Sequence, residues 1–532
     1  MLISVIAILC RQPRSLWVFL FLGILLRLWH VSAPIVDSMT PRQTQTADAI
    51  RSLIEEPGFQ LDSNVSWRGT GNHRIVQELP VYSLTTQVVY EALAMTFFPV
   101  APPKPGGADP HLIDISGRLV SVAFWVLTFV LSQCIWLILL TLQEMLFANS
   151  ILVFAPLSVF CGQAVMPEMV FLALATGFVV GALNYADKPD SRTFSIVFFC
   201  GLLACIVKLP AFSHLVLLAM AVFWRKQGGD FLFRPVHWIA AALALAALKG
   251  WGNYVTEVNA ATFPEWTSES SLRGFLGDPA ARLQPGLYIK IAGYITAFLL
   301  SPIGVVFAGT GLWQAWKRRV EDTGFFALAW IGSLIFYVLV WGVQTAGAQN
   351  YYNLPMLIPG AMLFGMGFEA FFTWMESKRG RRLAVTVAVA AAILVLAPMA
   401  FMEAYLFRED RILMSAAQWI RQNVPSGRPV AVKLNHTPFY IDYMHVPAVA
   451  YYSGHPCFML SRYTPTKEYD AAMKECDVIV ETLPVALGSA KDFAVKFKGA
   501  ERPVDHLEKA KTAGFAPGKP QESGIRIWTR PE

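Results

Sequence analysis

Between residues 15 and 402 the chain returns again and again to runs of about 20 apolar residues with scarcely a charge inside them. Such a run matches the thickness of a bilayer's hydrocarbon. Backbone placed there must satisfy its own hydrogen bonds, so each run can only be a helix or part of a closed barrel, and runs this long are helical. With 55% hydrophobic and 15% charged residues and a mean hydropathy of +0.46, the apolar content exceeds what a soluble core uses. The chain therefore reads as a polytopic α-helical membrane protein. Candidate spans cover 15–31, 116–138, 146–163, 168–186, 193–207, 209–224, 235–255, 287–312, 323–343, 351–373 and 383–402, about eleven in all. Ser15 to Val31 lacks a small-residue cleavage site and reads as a retained span.

Cations between the spans set the orientation. Lys188 and Arg192, Arg225, Lys226 and Arg234, Lys317 to Arg319, and Lys378 to Arg382 share one parity, which the positive-inside rule makes cytosolic. Arg11 and Arg14 join them if 79–100 lies as a helix on the outer surface and 193–224 is split at Lys208-Leu209-Pro210 into two short spans. On this parity 34–115, the loop near Pro167, 256–286, 345–350 and everything beyond about 403 face outward. The net charge of +6 is spent in these short clusters, with no basic, aromatic-interleaved domain, so a nucleic-acid partner is not expected.

The expected organisation is a membrane module over 1–404, with outer juxtamembrane helices in 34–115, and a small C-terminal α/β domain over 405–532 on the outer face. The domain shows as helix, Pro/Gly turn and strand in WIRQNVPSGRPVAVKL, with a second buried strand in DVIVETLP. Cys457 and Cys476 fall in it and could pair outside the cytosol. Asn64-Val65-Ser66 is a formal glycosylation sequon, and APPKPGGADP is a linker.

Polar residues in costly places mark the chemistry. Arg27, Lys208, Lys249 and Lys290 lie in or at the ends of apolar spans, where a cation costs about 2.5–3.5 kcal/mol and asks for an anion, a lipid phosphate or a loop carboxylate. Snorkelling is the bland alternative. Lys208, beside Pro210, is the strongest functional candidate. Asp37 stands where the chain leaves its first span in PIVDSMTPRQTQTA, ahead of an amphipathic stretch, Arg42 to Arg51, read as resting on the membrane. There it can act as a general base or simply cap a helix. Glu78 in QELPVYS and Glu168 in AVMPEM open helices, where a carboxylate also suits the dipole. Glu78 and Glu168 could ligate a divalent metal, but hard cations want more oxygens, zinc recruits His, and His73, His111 and His214 have no ligand-like spacing, so the metal stays open. No Walker loop, dinucleotide fingerprint or nucleophile elbow is present.

Taken together these segments resemble the GT-C superfamily of membrane glycosyltransferases, near the protein O-mannosyltransferase and lipid A aminoarabinose transferase branch. PIVDSMTPRQTQTA is similar to the first outer loop, QELPVYS to the stretch opening a juxtamembrane helix, ISGRLVS to the start of the next span, AVMPEM to the second acidic motif, and QNYYNLPMLIPGA to the Tyr-Tyr segment. The resemblance covers roughly 15–405, with the outer C-terminal domain similar only in outline. Departures are Ser38 beside Asp37 where many relatives carry an acid, Glu168 for Asp, and Gln349 for His.

The resemblance implies an enzyme that moves a monosaccharide from a polyprenyl-phosphate donor to a glycan, lipid or protein acceptor at the outer face, with inversion and with membrane lipids around it. It makes Asp37, Glu78 and Glu168 catalytic, Glu78 a metal ligand if a metal is used, Lys208, Arg42 and Arg273 contacts of the donor phosphate, and Gln349, Tyr351 and Tyr352 part of the substrate pocket. Rival readings are a polymerase or ligase of lipid-linked glycans, a lipid or sugar flippase, and a membrane scaffold. A flippase would be expected to show repeated halves and midplane sites, whereas the polar candidates here gather at one surface.

Overall fold

The computed structural model describes residues 14–56, 58–97, 107–263, 266–347, 349–434, 442–460, 466–482, 511, 513–518 and 525–529. Cys10 and most of the APPKPGGADP linker lie outside them. Contacts divide the chain into two units, one of residues 1–32, 76–89 and 115–407, the other of residues 33–75, 90–114 and 408–532. This boundary differs from the sequence-based division at 404/405: most of the first outer loop folds with the C-terminal segment.

The first unit is helical, and the protein is a multi-pass membrane protein. Among the described residues six helices are long and apolar enough to cross a bilayer, or seven if the bent pair 268–282 and 285–300 counts as one span. About eleven were expected, and breaks in the helices account for much of the difference. The expected span 146–163 is two pieces, Leu142–Phe154 and Pro156–Cys161, broken where Pro156 cannot donate to the ladder. The expected span 287–312 breaks at Ser301, whose φ of 62° precedes Pro302. At 193–224 the expected break is present: the path Ser191–Gln227 consists of two helices joined across a kink at Lys208, whose backbone (φ −154°, ψ 71°) is not helical. Capping boxes at Thr141/Glu144 and Asp190/Thr193 start the Leu142–Phe154 and Ser191–Gln227 helices.

Small residues let these helices meet backbone to backbone. The helices Pro302–Lys317 and Leu357–Arg379 cross at Gly311 and Gly367, where an added Cβ would lie 1.8 Å from the carbonyl oxygens of Leu363 and Phe307 respectively. With no water to expel between lipid-facing helices, such close contact is what van der Waals packing requires.

The second unit is α/β. Its five-stranded sheet is built from β1 (Val430–Leu434), β2 (Cys457–Met459), β3 (Val478–Thr482), β4 (Ala516–Pro517) and β5 (Ile525–Thr529), in the order β2-β1-β3-β5-β4. The first three run parallel and β5 pairs antiparallel with β3 and β4. Both strands anticipated from the sequence are present, and Ala431, Phe458, Ile479 and Trp528 are buried at its core. Cys457 and Cys476, which the sequence left open as a pair, are both buried and free. The helix Thr40–Glu55 does not present an open amphipathic face either: Gln43, Thr44, Ala47, Asp48 and Ile50 are all fully buried, and the helix packs on Asp442–Ser453. Asn64 of the sequon accepts the His73 amide at 2.8 Å.

Candidate functional site

Three local irregularities of the first unit converge on one ion pair. Pro167 starts the helix Glu168–Asp187 and puts Glu168, 1% exposed, in its first turn. The kink at Lys208, two residues before Pro210, turns that ammonium toward Glu168, and Nζ donates to Oε1 at 2.6 Å. A 3₁₀ turn, Asn350–Met356, then brings the rings of Tyr351 and Tyr352 to 4.6 and 4.5 Å from the same Nζ. This turn is tied down by Tyr337, whose hydroxyl donates to the Tyr352 carbonyl at 2.7 Å, and by Asn353, which donates to the Thr345 and Asn350 carbonyls. A cation held between a carboxylate and two aromatic faces is well stabilised in a low dielectric.

Glu78 lies within electrostatic reach of Lys208. Gln349 precedes the 3₁₀ turn and accepts from Gln344 at 3.3 Å. Arg273, by contrast, stands at the exposed surface of the helix Ser268–Leu276 in an ion pair with Glu269, and has no part in the Glu168–Lys208 cluster.

Behind Glu168 the segment 161–167 is held by buried polar groups from the two segments QELPVYS and ISGRLVS. Tyr82 donates to the Gly117 carbonyl at 2.8 Å, Ser121 to the Ala164 carbonyl at 2.5 Å, and the Arg118 guanidinium reaches the Gln163 carbonyl at 3.5 Å. Glu168 Oε2 and both amide atoms of Gln163 are buried with no hydrogen-bond partner among the described residues. Another buried cation, Arg27, closes the helix Arg14–Leu28. Its guanidinium lies 3.6 Å from the Trp125 ring centroid and donates to Gly23 O, Val153 O and Ser158 Oγ. It thus takes up a carbonyl at the helix break before Pro156, and neither snorkels nor waits for a lipid phosphate. Gly162 makes room for it, since a Cβ there would meet Arg27 Nε at 2.3 Å.

In the second unit Asp37 is 7% exposed. Its Oδ1 accepts from the Met39 amide at 3.1 Å and from Gln43 Nε2 at 2.6 Å, a turn ahead of the helix rather than its N-cap, which is Met39. Arg42 follows in the first turn of that helix, half-buried.

These donors do not suit a divalent cation. Among the described residues no three His, Cys, Asp or Glu side chains gather into a metal-binding group, and the better-placed oxygen of Glu168 already faces an ammonium.

The chain matches no protein-family model and no curated protein sequence. It does match solved structures. The crystal structure of ArnT from Cupriavidus metallidurans bound to undecaprenyl phosphate aligns with a TM-score of 0.61 at 13% identity, over 96% of this chain and 97% of that one. The apo state of the same protein aligns with a TM-score of 0.57 at 14% identity, over 96% and 97%. The fold is that of ArnT. The resemblance seen in short sequence segments thus extends, as fold, through almost the whole chain, including the C-terminal segment that the motifs left out.

Proposed function

We propose that the protein transfers a monosaccharide from a polyprenyl-phosphate donor to an acceptor at the outer face of the plasma membrane, inverting the anomeric carbon. One observation carries the reading: a cation kinked out of its helix and flanked by two tyrosines, within a fold whose counterpart ArnT was crystallised with undecaprenyl phosphate. Lys208 spends one N–H on Glu168 and keeps two for a phosphate, while Glu168 holds the ammonium in place. As the bond from the sugar carbon to the phosphate oxygen breaks, charge gathers on the departing lipid phosphate, and a fixed ammonium stabilises it without reorganising. Asp37 is assigned the proton of the acceptor hydroxyl as its oxygen bonds to the sugar carbon. Glu78 completes the carboxylate set and tunes Lys208. Tyr351, Tyr352 and Gln349 line the pocket and Arg42 is a further phosphate contact, whereas Arg273, already paired at the surface, is left out. The acceptor is a glycan, lipid or protein hydroxyl.

The test is to purify the protein with its bound lipid and identify the head group by mass spectrometry. A monosaccharide on a polyprenyl monophosphate is expected; an oligosaccharide diphosphate would move the protein among the polymerases and ligases. Asp37→Asn should then lower transfer by about 10²–10⁴-fold with lipid binding kept. Full activity in that variant removes the base.

A further inference from the structure

The second unit brings together segments about 400 residues apart, and the place where they meet brackets Asp37. Ile35 and Val36, immediately before it, are completely buried. The Ile35 amide donates to the Tyr452 hydroxyl at 2.6 Å, and the Val36 carbonyl accepts from the Asp410 amide at 2.6 Å. Both partners belong to the C-terminal segment. Tyr452 is itself fixed, because its hydroxyl donates to Asp114 Oδ2 at 2.7 Å while the one O–H of Tyr451 is shared between Oδ1 at 2.9 Å and the Pro110 carbonyl at 2.8 Å. Burial and the Asp114 carboxylate hold Tyr451 well above the ordinary phenol range, so it stays a donor. Asp410 is fixed in turn by its side chain, which caps the helix Arg411–Asn423 through the Ile412 and Leu413 amides.

We infer that Tyr452 is a positioning residue for Asp37: through the Ile35 amide, and together with the Asp410 amide, the C-terminal segment sets where the Asp37 carboxylate stands. This rests on the assignment of Asp37 as the base. It gives the C-terminal segment a part in turnover that does not depend on which acceptor is used. Two hydrogen bonds to consecutive residues leave the backbone before Asp37 little freedom, and displacing a reacting group by about 1 Å can cost on the order of 10²-fold in rate.

Tyr451 supplies the control. Tyr452→Phe and Tyr451→Phe each delete one phenol bond to Asp114, so a purely structural role would affect both alike. Only Tyr452→Phe also frees the Ile35 amide. Hydrogen exchange of the full-length protein in detergent should show peptides spanning 33–39 exchanging about tenfold or more faster in Tyr452→Phe than in Tyr451→Phe. In the wild-type protein the Ile35 and Asp410 amides should be protected together, a measurement that needs no variant. Equal exchange in the two variants, or unprotected amides in the wild type, overturns the inference. With the co-purified polyprenyl-phosphate sugar as donor, Tyr452→Phe should lower kcat about tenfold with KM within twofold, and Tyr451→Phe should keep kcat within twofold. A rise in KM alone would make Tyr452 a binding residue and overturn the assignment. Full turnover by Asp37→Asn would remove the base instead, leaving the exchange experiment to judge the clamp by itself.

Discussion

The two units solve the problem of buried polar groups in opposite ways. The helical unit holds its buried charges at separate points: the Glu168–Lys208 and Glu144–Arg318 pairs, Arg118 against the Gln163 carbonyl, and Arg27 lodged among carbonyls and a tryptophan ring, between helices packed backbone to backbone. The α/β unit spreads them through a network joining distant segments, with Asp114, Tyr451 and Tyr452 on one side and the Arg51–Asp48–Ser66 chain on another. Losing one group should accordingly cost much in the first unit and modestly in the second.

Lys208→Met is the sharpest test of that contrast. It strands the nearly inaccessible Glu168 carboxylate, and unfolding in detergent should show a loss of about 3–5 kcal/mol, much of it regained in Lys208→Met with Glu168→Gln. An equal loss in the double variant would mean that shape rather than charge matters there. Gly367→Val comes next, since the crossing with Gly311 has no space for a side chain; about 1–3 kcal/mol and a lowered Tm are expected. Tyr451→Phe should cost only about 1–2 kcal/mol, because Asp114 keeps its bond from Tyr452. A loss as large as that of Lys208→Met would erase the distinction between the units.

The smallest effect concerns Cys457, whose thiol burial pushes up to about 12. It should resist maleimide at pH 8 until the protein unfolds. The neutral thiol is the form the fold favours, so its contribution is complete below the ordinary thiol range near pH 9 and fades as pH climbs toward about 12.

Much of this was legible in the sequence because burying charge is costly wherever it occurs. Lys208 and Glu168 were both singled out from local patterns, though each was read separately; that they partner each other depends on a kink whose direction no local pattern encodes. The strands VAVKL and DVIVET announced the sheet through β-branched runs. The span count was less legible, since length and hydropathy do not show where Pro156 and Ser301-Pro302 interrupt a run. Tyr451, Tyr452 and Asp114 were missed entirely. Adjacent tyrosines in AYYSGHP carry no signal of a carboxylate more than 330 residues away.

Arg27 and Gly162 carry a consequence for how this sequence can drift. Any side chain at 162 would strike the guanidinium and the Ser158 carbonyl, so the glycine cannot change while the arginine stays. Were the arginine lost first, the Val153 carbonyl would need a new donor. Homologues are thus expected to inherit or abandon the two positions as a couple, a fingerprint that an aligned set of sequences would reveal at a glance.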